Sequence, residues 1–375
     1  MDRIPVGIVG CGYWGPNLIR NFSSCRETEV AGICDANPAR LEAIGRMNGQ
    51  AKCVSSLDEL LDLPIKAVAI ATPVSTHFAI AKRCLERGMH VLVEKPLTAT
   101  VQEAKELVEL AERMGRVLMV DHTYLFSKPI GLIKNLIEQG ELGELYYIDS
   151  VRINLGLFQR DINVIWDLAP HDLSIISYLL EPDARSISAW GCAHANPDIE
   201  DIAYVNVDYG ERLMASLHVN WLSPVKVRQM MFAGSKKSLI FNELNTSEPI
   251  KVYDRGIEMG QNEEERHRLL ISYRSGDVWS PHVEPGEALQ GVVGHFAECI
   301  REQKRPVSDG WLGLRVVRLL EAATRSLRAQ GGRVVLSNGA KGNGFNDTRA
   351  GGVGQLSTDC PGREARQERE HSLLR

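Results

Sequence analysis

Two short stretches of the sequence carry side chains that can move a proton at a hydroxyl group. In WDLAPHD, Asp167 and His171 are four residues apart, so they share one face if the segment is helical. A neutral imidazole can take a hydroxyl proton near neutral pH, and an adjacent carboxylate can orient it. In VLVEKPLT, Lys95 and Glu94 follow an apolar run where a plain turn would be expected. Read alone, both stretches also fit structural roles, namely an N-cap aspartate with a hydrogen-bonded histidine and an ordinary surface ion pair.

The first third of the chain alternates short apolar runs with amphipathic segments. The apolar runs predict strands at 6–10, 30–35, 67–72, 91–94 and 117–120. The segments between them predict helices near 15–24, 38–48, 76–88 and 100–115. Continuous apolar strands that alternate with helices indicate a doubly wound parallel sheet covered on both faces.

A glycine pattern follows the first predicted strand. Gly10, Gly12 and Gly15 form G-x-G-x-x-G at the start of a helix, and Asp35 ends the second strand. Such glycines permit a tight turn, the approach of a pyrophosphate and close helix packing, while the acid accepts hydrogen bonds from an adenosine ribose. The pattern predicts a dinucleotide-binding Rossmann domain, with a turn kept only for packing as the alternative. The Asp35 charge favours NAD(H) over NADP(H), although Arg40 could help to hold a 2′-phosphate.

The ends of the third and fourth predicted strands face the same crevice as the glycine turn, because ligands of doubly wound sheets bind outside the carboxyl ends of the strands. These ends read Ala71-Thr72-Pro73 and Glu94-Lys95-Pro96. Lys95 is therefore expected near a bound nicotinamide. His77 and Trp14 could each line the cofactor pocket or serve local packing.

The chain changes character after about residue 145. Segments within 146–243 alternate apolar and polar residues and follow one another with short turns, which predicts a mostly antiparallel open sheet. Helices are expected at 167–180, 286–303 and 310–329. The resulting organisation is an NAD-binding domain over 1–121, an α+β substrate-binding and oligomerisation domain over 122–337, and a disordered tail over 338–375 that is rich in glycine and charge.

Whole-chain properties exclude several classes of protein. The 43 basic and 48 acidic residues give a net charge of −5 without a basic stripe, so no nucleic-acid partner is expected. The eight cysteines lack a CxxC pair, and MDRIPVGIVG already begins a strand, which together predict a cytoplasmic protein without a signal peptide or membrane span. Asp121, His122, Asp167 and His171 could supply metal ligands, but no known spacing joins them and no metal is predicted.

The order of these motifs resembles the Gfo/Idh/MocA family, which includes glucose-fructose oxidoreductase and inositol dehydrogenases. The resemblance rests on the GxGxxG glycines, the acid after the second strand, the Ala-Thr-Pro and Glu-Lys-Pro sequences at two strand ends, and the D-x-x-x-H helix. It spans residues 4 to about 330. It implies that Lys95 hydrogen-bonds the reacting oxygen, that His171 is the general acid/base, and that Asp167 supports it and contacts the sugar. It also implies a homodimer or homotetramer in which the second sheet packs against another subunit. The implied cofactor-binding residues are Gly10, Gly12, Tyr13, Trp14, Gly15, Asp35, Thr72, Pro73, His77, Glu94 and Lys95.

One segment departs from the common pattern of that family. Many members carry arginines after the fifth long strand, whereas this chain reads DHTYLFSKP, with Tyr124 and Leu125 at that place. The variant resembles members that act on nucleotide-linked sugars. The candidate substrate contacts are Tyr124, Arg152, Asn154 and Arg160, and the arginines fit plain surface positions equally well.

The motifs together predict an oxidoreductase that interconverts a secondary alcohol and a ketone on a sugar, a sugar derivative or a nucleotide-linked sugar. His171 takes the hydroxyl proton, Lys95 polarises the oxygen and NAD+ accepts the hydride. Two alternatives remain. A non-catalytic sugar sensor would be expected to lose the lysine or the histidine, and a metal-dependent hydrolase would have no use for Asp35 or the glycine turn.

Overall fold

The structure, a computed structural model, describes residues 2–156, 158–159, 161–180, 182–210, 212–259 and 271–336. Two predictions fall on other residues. Arg160, a candidate substrate contact, and the predicted disordered tail over 338–375 both lie outside the described residues.

The first sheet forms from the apolar runs of the first third of the chain. Its six parallel strands have the order β3-β2-β1-β4-β5-β6. They are β1 Ile4–Val9, β2 Thr28–Cys34, β3 Lys52–Val54, β4 Ala67–Ile70, β5 His90–Glu94 and β6 Leu118–Asp121. The predicted parallel Rossmann sheet is confirmed. The order reverses between β1 and β4, and in folds of this type the crevice at that point receives the ligand.

Five helices connect the strands of this sheet. They are α1 Gly15–Ser24, α2 Pro38–Met47, α3 Leu57–Leu61, α4 Val74–Glu86 and α5 Val101–Met114. α5 shows how local sequence sets the ends, since Thr100 and Glu103 form a reciprocal capping box at its start. Gly115 ends it in the left-handed conformation, with φ +60°, which glycine adopts without strain.

The second sheet has nine strands in the order β14-β13-β12-β11-β7-β10-β9-β8-β15. All neighbouring pairs are antiparallel except β7 with β10, which confirms a mostly antiparallel sheet. Alternate residues of its central strands are buried, so one face of the sheet forms part of a core. The strands are β7 Leu145–Leu155, β8 Ser186–Cys192, β9 Ile202–Gly210, β10 Leu213–Asn220, β11 Leu222–Gly234, β12 Ser238–Asn242, β13 Ile250–Met259, β14 Ile271–Trp279 and β15 Val334–Val335.

The remaining helices follow the first sheet along the chain. A 3-10 turn spans Thr123–Phe126, and the α-helices are α6 Lys128–Glu138, α7 Val164–Leu179, α8 Ala288–Glu302 and α9 Gly310–Arg328. α7 and α9 share one apolar core with the inner face of the second sheet. α8 shares a core with α1 and one face of the first sheet, and its Phe296 meets Phe22 of α1 edge to face at 6.3 Å. In the part of the chain that the structure describes, no helix has the length and apolar content needed to cross a bilayer.

The helix that carries the WDLAPHD motif begins earlier than the sequence predicts. Its N-cap is Asn163, whose side chain accepts a hydrogen bond from the Trp166 amide. The helix start expected at residue 167 is therefore wrong, and so is the alternative in which Asp167 is the N-cap, since Asp167 lies within the first turn. Pro170 lies inside the helix and not in its first turn, so one backbone hydrogen bond is absent there.

Candidate active site

The glycine turn has the shape that a pyrophosphate requires. Gly10 has φ +97°, and a Cβ on it would lie 2.5 Å from the carbonyl oxygen of Ala71. A Cβ on Gly15 would lie 2.1 Å from the Gly10 carbonyl oxygen, so α1 could not pack as closely. Beside Gly12, by contrast, the nearest atom to such a Cβ is Nη1 of Arg40 at 3.9 Å, which leaves open space for a ligand.

Few backbone donors remain at the start of α1. The N-cap residue Trp14 makes no side-chain capping bond, but Pro16 has no N–H and the Asn17 amide donates to the Trp14 carbonyl oxygen. Among the described residues, the Gly15 amide is the donor of that turn left for an anion. Tyr13 and Trp14 are exposed beside the turn, with their rings edge to face at 5.9 Å. These features fit the diphosphate of a dinucleotide.

Asp35 closes the loop between β1 and α1. Its Oδ2 accepts a 2.6 Å hydrogen bond from the Cys11 amide, and its Oδ1 accepts a 2.8 Å bond from the Asn37 amide. Arg40 lies nearby, with Nη1 3.9 Å from Oδ2. The carboxylate is buried, whereas the arginine side chain is 55% exposed. The buried Asp35 carboxylate and the more exposed Arg40 guanidinium therefore lie together where an adenosine ribose is expected.

His77 connects the two strand ends that border the crevice. Its Nδ1 lies 3.0 Å from the Pro96 carbonyl oxygen, and its Nε2 lies 2.8 Å from the Thr72 carbonyl oxygen. The ring is fully buried, and burial lowers its pKa. His77 therefore links the Ala71-Thr72-Pro73 and Glu94-Lys95-Pro96 segments from their buried side. Thr72 and Pro73 themselves lie nearer the surface.

Lys95 reaches from the end of β5 to the first turn of α7. Its Nζ donates a 2.8 Å hydrogen bond to the Asp167 carbonyl oxygen and lies 3.6 Å from Asp167 Oδ1. The other carboxylate oxygen of Asp167 accepts a 3.0 Å bond from Nε1 of Trp221. An ammonium group has three donors, so Lys95 retains donors for a further oxygen. The Lys95–Pro96 peptide bond is cis.

His171 lies close to the same ammonium, in a setting that keeps its ring neutral. Its Nδ1 is buried without a hydrogen-bond partner among the described residues, and its ring meets Tyr124 edge to face at 5.0 Å. Burial lowers the pKa of His171 well below its ordinary value, and the charges of Lys95, Arg152 and Arg228 lower it further. A neutral imidazole is the form that can accept a proton.

Arg152, predicted as a substrate contact, lies inside an ion-pair network. Its guanidinium makes three hydrogen bonds of 2.8–3.0 Å to the Asp172 carboxylate and one of 3.1 Å to Glu243. It also lies over the Tyr124 ring, 4.9 Å from the centroid. Burial acts to lower the pKa of Arg152, but the Asp172 charge and hydrogen bonds raise it above its ordinary value. Its donors are thus largely occupied within the protein.

We expect Arg152→Met to destabilise the fold by about 3–5 kcal/mol, because it leaves the buried Asp172 charge without its partner. Urea unfolding followed by circular dichroism measures this free energy. Arg83→Met removes an exposed arginine that pairs with Asp58, and it is the matched control expected to change stability little. Equal stability losses in the two variants would contradict a structural role for the Arg152 network.

Two further strand residues border this network. Asn154, another predicted substrate contact, accepts a 2.5 Å hydrogen bond from Nη2 of Arg228. Arg228 pairs with Arg152 across β11 and β7, so both guanidiniums lie on the inner face of the second sheet. Tyr124 donates a 2.8 Å bond to Glu243, which fixes its hydroxyl beside these groups. The structure therefore brings Tyr124, Arg152 and Asn154 together near His171.

A pair of buried carboxyl groups lies at the ends of β5 and β6. Glu94 and Asp121 are register partners, and both are buried. Burial raises the pKa of each, and the Asp121 charge raises that of Glu94 further, which favours a protonated Glu94. His122, next in sequence, is buried with neither ring nitrogen bonded among the described residues, and burial followed by the Lys95 charge lowers its pKa to about 3.

Several residues of the site have no counterpart among the sequence predictions: Asp172, Trp221, Arg228 and Glu243. Asp172 ends the WDLAPHD stretch without a role assigned to it, Arg228 lies on β11, and Trp221 and Glu243 lie just outside strands, at positions that carry no motif. One signal was available, because Asp172 stands in an otherwise apolar helix face and Arg152 at an inward-facing position of a strand. Buried charges require partners, so an arginine and an aspartate at such positions indicate an ion pair.

The metal hypothesis involved Asp121, His122, Asp167 and His171. Within the residues that the structure describes, which include these four, no three His, Cys, Asp or Glu side chains are arranged to hold a metal ion.

Comparison with known proteins assigns the family. Residues 4–122 match the model of an oxidoreductase family with an NAD-binding Rossmann fold, and residues 101–240 match the C-terminal domain of the same family. The chain belongs to the Gfo/Idh/MocA oxidoreductase family. The resemblance inferred from the motifs is confirmed, and with it a place among the NAD-binding Rossmann oxidoreductases.

Two curated members of the family illustrate its range. The chain is 28% identical over 259 residues to UDP-N-acetylglucosamine 3-dehydrogenase of Acidithiobacillus ferrooxidans, covering 68% of this chain and 79% of the relative. It is 25% identical over 354 residues to the NADP(+) scyllo-inositol 2-dehydrogenase IolW of Bacillus subtilis, covering 87% and 94%.

Solved structures support the fold. The A. ferrooxidans enzyme has a TM-score of 0.74 at 24% identity, covering 88% of this chain and 99% of that chain. The WlbA dehydrogenase of Bordetella pertussis, in complex with NADH and UDP-GlcNAcA, has a TM-score of 0.74 at 22% identity, covering 89% and 98%. At these identities the likeness is one of fold.

Proposed function

We propose that this family member is an NAD(H)-dependent dehydrogenase that interconverts a secondary alcohol and a ketone on a sugar, a sugar derivative or a nucleotide-linked sugar. The observation that carries the proposal is the convergence of Lys95, Asp167 and His171 at the carboxyl end of β5, in the crevice that begins at the glycine turn. The curated relatives, which act on a nucleotide sugar and an inositol, support this substrate range.

The side chains divide the chemistry between them. His171, held neutral by burial, accepts the hydroxyl proton during oxidation and returns it during ketone reduction. Lys95 keeps one contact with the Asp167 carbonyl oxygen and donates to the reacting oxygen, which stabilises negative charge as it develops. Trp221 holds Asp167 in place. The nicotinamide, when bound, supplies the hydride acceptor, and the glycine turn with Asp35 would hold the rest of the dinucleotide.

A non-catalytic sugar sensor is the alternative function. A sensor needs a binding crevice but not a neutral imidazole beside an ammonium. Incubating the purified protein with NAD+ and a panel of sugars, inositols and nucleotide sugars, while following NADH absorbance, separates the two. Turnover of a panel member supports the dehydrogenase, and binding of a sugar without turnover supports the sensor.

We propose NAD(H) as the preferred cofactor because the Asp35 charge lies at the expected ribose position. Asp35→Ala should shift the NADP(H)/NAD(H) affinity ratio by about tenfold or more toward NADP(H), since it removes a negative charge near Arg40. Titration of both reduced cofactors by fluorescence measures the ratio. Asp35→Asn removes the charge but keeps an acceptor for the Cys11 amide, so it controls for local unfolding. Equal affinities in the wild type, or an unchanged ratio in both variants, would argue against Asp35 as the discriminating residue.

We also propose a homodimer or homotetramer formed through the outer face of the second sheet. Trp190, Tyr204 and Met214 are exposed on neighbouring strands there by 63%, 51% and 49%, and Trp190 and Tyr204 are register partners, so apolar side chains cluster on this face as they do at interfaces. Light scattering of the purified protein tests this, and a monomer at micromolar concentration would contradict it.

A further inference from the structure

A cavity of about 440 Å³ lies at the amino ends of β5 and β6, on the side of the first sheet opposite the glycine turn. Its walls come from the second half of α5, the end of α8, the start of α9 and the segment between those two helices. Apolar side chains form much of the lining: Val108, Leu118, Ile300, Pro306 and Trp311. The five residues of β5, at about 3.3 Å each, separate the cavity from Lys95, so it is distinct from the candidate active site.

Two nitrogen donors meet at one side of this cavity. Nη1 of Arg116 lies 3.4 Å from Nε2 of His90. Nδ1 of His90 accepts a 3.0 Å hydrogen bond from the Val117 amide, so the proton of the neutral ring is on Nε2. Burial and the Arg116 charge lower the pKa of His90 to about 4, which keeps the ring neutral. The Nε2–H group and the guanidinium therefore face each other, with no acceptor between them among the described residues.

The backbone holds both donors in place. The Arg116 amide donates to the Ala111 carbonyl oxygen, in the turn that ends α5 at Gly115. His90 is the first residue of β5, and the Val117 amide that fixes its ring follows Arg116 directly in the chain. A helix end and a strand start thus bring the two side chains together.

The cations that line the cavity differ in their partners. Lys304 has its Nζ 3.2 Å from Oε2 of Glu302, and Arg305 forms an ion pair with Asp309. Arg116 has its side-chain contact with the neutral His90 ring, and no carboxylate within 4 Å in the part of the chain that the structure describes. Its charge therefore has no counter-ion from the protein there.

The two acids of the lining already have donors of their own. Glu112 accepts a 2.7 Å hydrogen bond from Nε1 of Trp311. Asp309 caps α9, where its Oδ1 accepts a 2.8 Å bond from the Leu312 amide. Both carboxylates are thus engaged within the protein, and the cavity keeps one uncompensated positive charge beside an apolar lining.

We infer that this cavity binds a small carboxylate with an apolar or aromatic body. One carboxylate oxygen accepts from Arg116 and the other from Nε2–H of His90, which gives each donor an acceptor and the guanidinium a counter-ion. The apolar body then packs against the Trp311 and Leu118 side of the lining, where it is removed from water. A neutral molecule lacks the first part of this match, and a bare anion lacks the second.

Ligand-observed NMR titrations of the full chain test the inference with four probes. Benzoate has the carboxylate and the ring, benzamide replaces the charge by a neutral amide, acetate lacks the ring, and phenyl phosphate exchanges the carboxylate for a phosphate. The variants are Arg116→Met and His90→Asn, and the latter keeps an acceptor for the Val117 amide while it removes the Nε2 donor. The matched control is Arg113→Met, an exposed arginine of the same helix that does not line the cavity. Melting temperatures establish that each variant is folded.

We expect the wild type to bind benzoate more tightly than the other three probes. Arg116→Met should weaken benzoate binding about 10-fold or more, the scale of one charge-assisted hydrogen bond. His90→Asn should weaken it about 2- to 10-fold, the scale of one neutral donor. Arg113→Met should bind benzoate as the wild type does. Saturating NADH should leave benzoate affinity unchanged, because the dinucleotide crevice lies at the other end of the sheet.

Four results would each overturn the inference: benzoate that binds no more tightly than benzamide or acetate, an equal loss in Arg113→Met and Arg116→Met, displacement of benzoate by NADH, or tighter binding of phenyl phosphate than of benzoate. If Arg116→Met does not fold, His90→Asn decides by the same criteria. None of these results bears on the dehydrogenase proposal, which turnover of the sugar panel tests separately.

Discussion

Lys95→Met is expected to lower kcat of the NAD+-dependent oxidation by at least about 10²- to 10⁴-fold, the usual scale for a lost group at the reacting oxygen. The Lys95 side chain is 12% exposed and its ammonium is held by the Asp167 carbonyl oxygen, so the group is already positioned before substrate binds. Steady-state kinetics with the substrate found in the panel measures the effect. NAD(H) affinity should change little, because the diphosphate and ribose contacts lie at the glycine turn and Asp35.

The same substitution has a second consequence that a purely structural lysine would not produce. The Lys95 charge, after burial, is the largest cause of the lowered pKa of His171. Removing it should move the acidic limb of the kcat/KM profile to higher pH. Lys95→Arg should restore little turnover, because the larger planar guanidinium group does not replace a compact ammonium in this site. Lys105→Met, on the surface of α5, serves as the control.

If the kcat of Lys95→Met is within a few-fold of the wild-type kcat, Lys95 does not act at the reacting oxygen. If kcat falls but the acidic limb of the kcat/KM profile stays in place, Lys95 acts on the substrate without setting the pKa of His171. Either result would require a different assignment of the two groups.

The first sheet could be predicted from the sequence because its signals are local. Long apolar runs such as AVAI at 67–70 are buried on both faces and form parallel strands, and the prediction of that sheet is confirmed. β3 was missed because two of its three residues are exposed, so it has no apolar run. β13 and β14 were missed for a related reason, since Ile250–Met259 carries charged residues at frequent intervals and forms a strand through pairing with β12.

The site could be predicted only in part, for the same physical reason. The motif residues Lys95, Asp167 and His171 were found because each lies in a recognisable local pattern. The partner of Arg152 lies twenty residues away on another element, and Glu243 lies 91 residues away. Those contacts depend on strand register and on the position of α7 over the second sheet, which no local pattern specifies. The distinction between Arg152, held by Asp172 and Glu243, and Arg228, held by Asn154, therefore required the fold.

His171→Ala is expected to lower kcat by about 10²- to 10⁴-fold through loss of the general base. The proton acceptor must be the neutral ring, so activity is present above its pKa and is lost as pH falls through that value. Because burial, Lys95, Arg152, His122 and Arg228 all lower this pKa, the acidic limb of kcat/KM in the wild type should have its midpoint below the ordinary value of 6.5. A profile of log kcat/KM from pH 4 to 9, in the direction of oxidation, measures the midpoint, with those limits about 2.5 pH units either side of 6.5.

The limb itself should disappear in His171→Ala, leaving a lower and flatter profile, while the exposed His282→Ala control keeps the limb at the wild-type position. Binding of NAD(H) should be nearly unchanged in both variants, because His171 lies on α7 and the dinucleotide contacts lie on the first sheet. The double variant Lys95→Met/His171→Ala gives the decisive comparison. If it still oxidises its substrate at close to the wild-type rate, neither residue takes part in the chemistry. Other groups would then carry the proton transfer, and the roles assigned to Lys95 and His171 would be wrong.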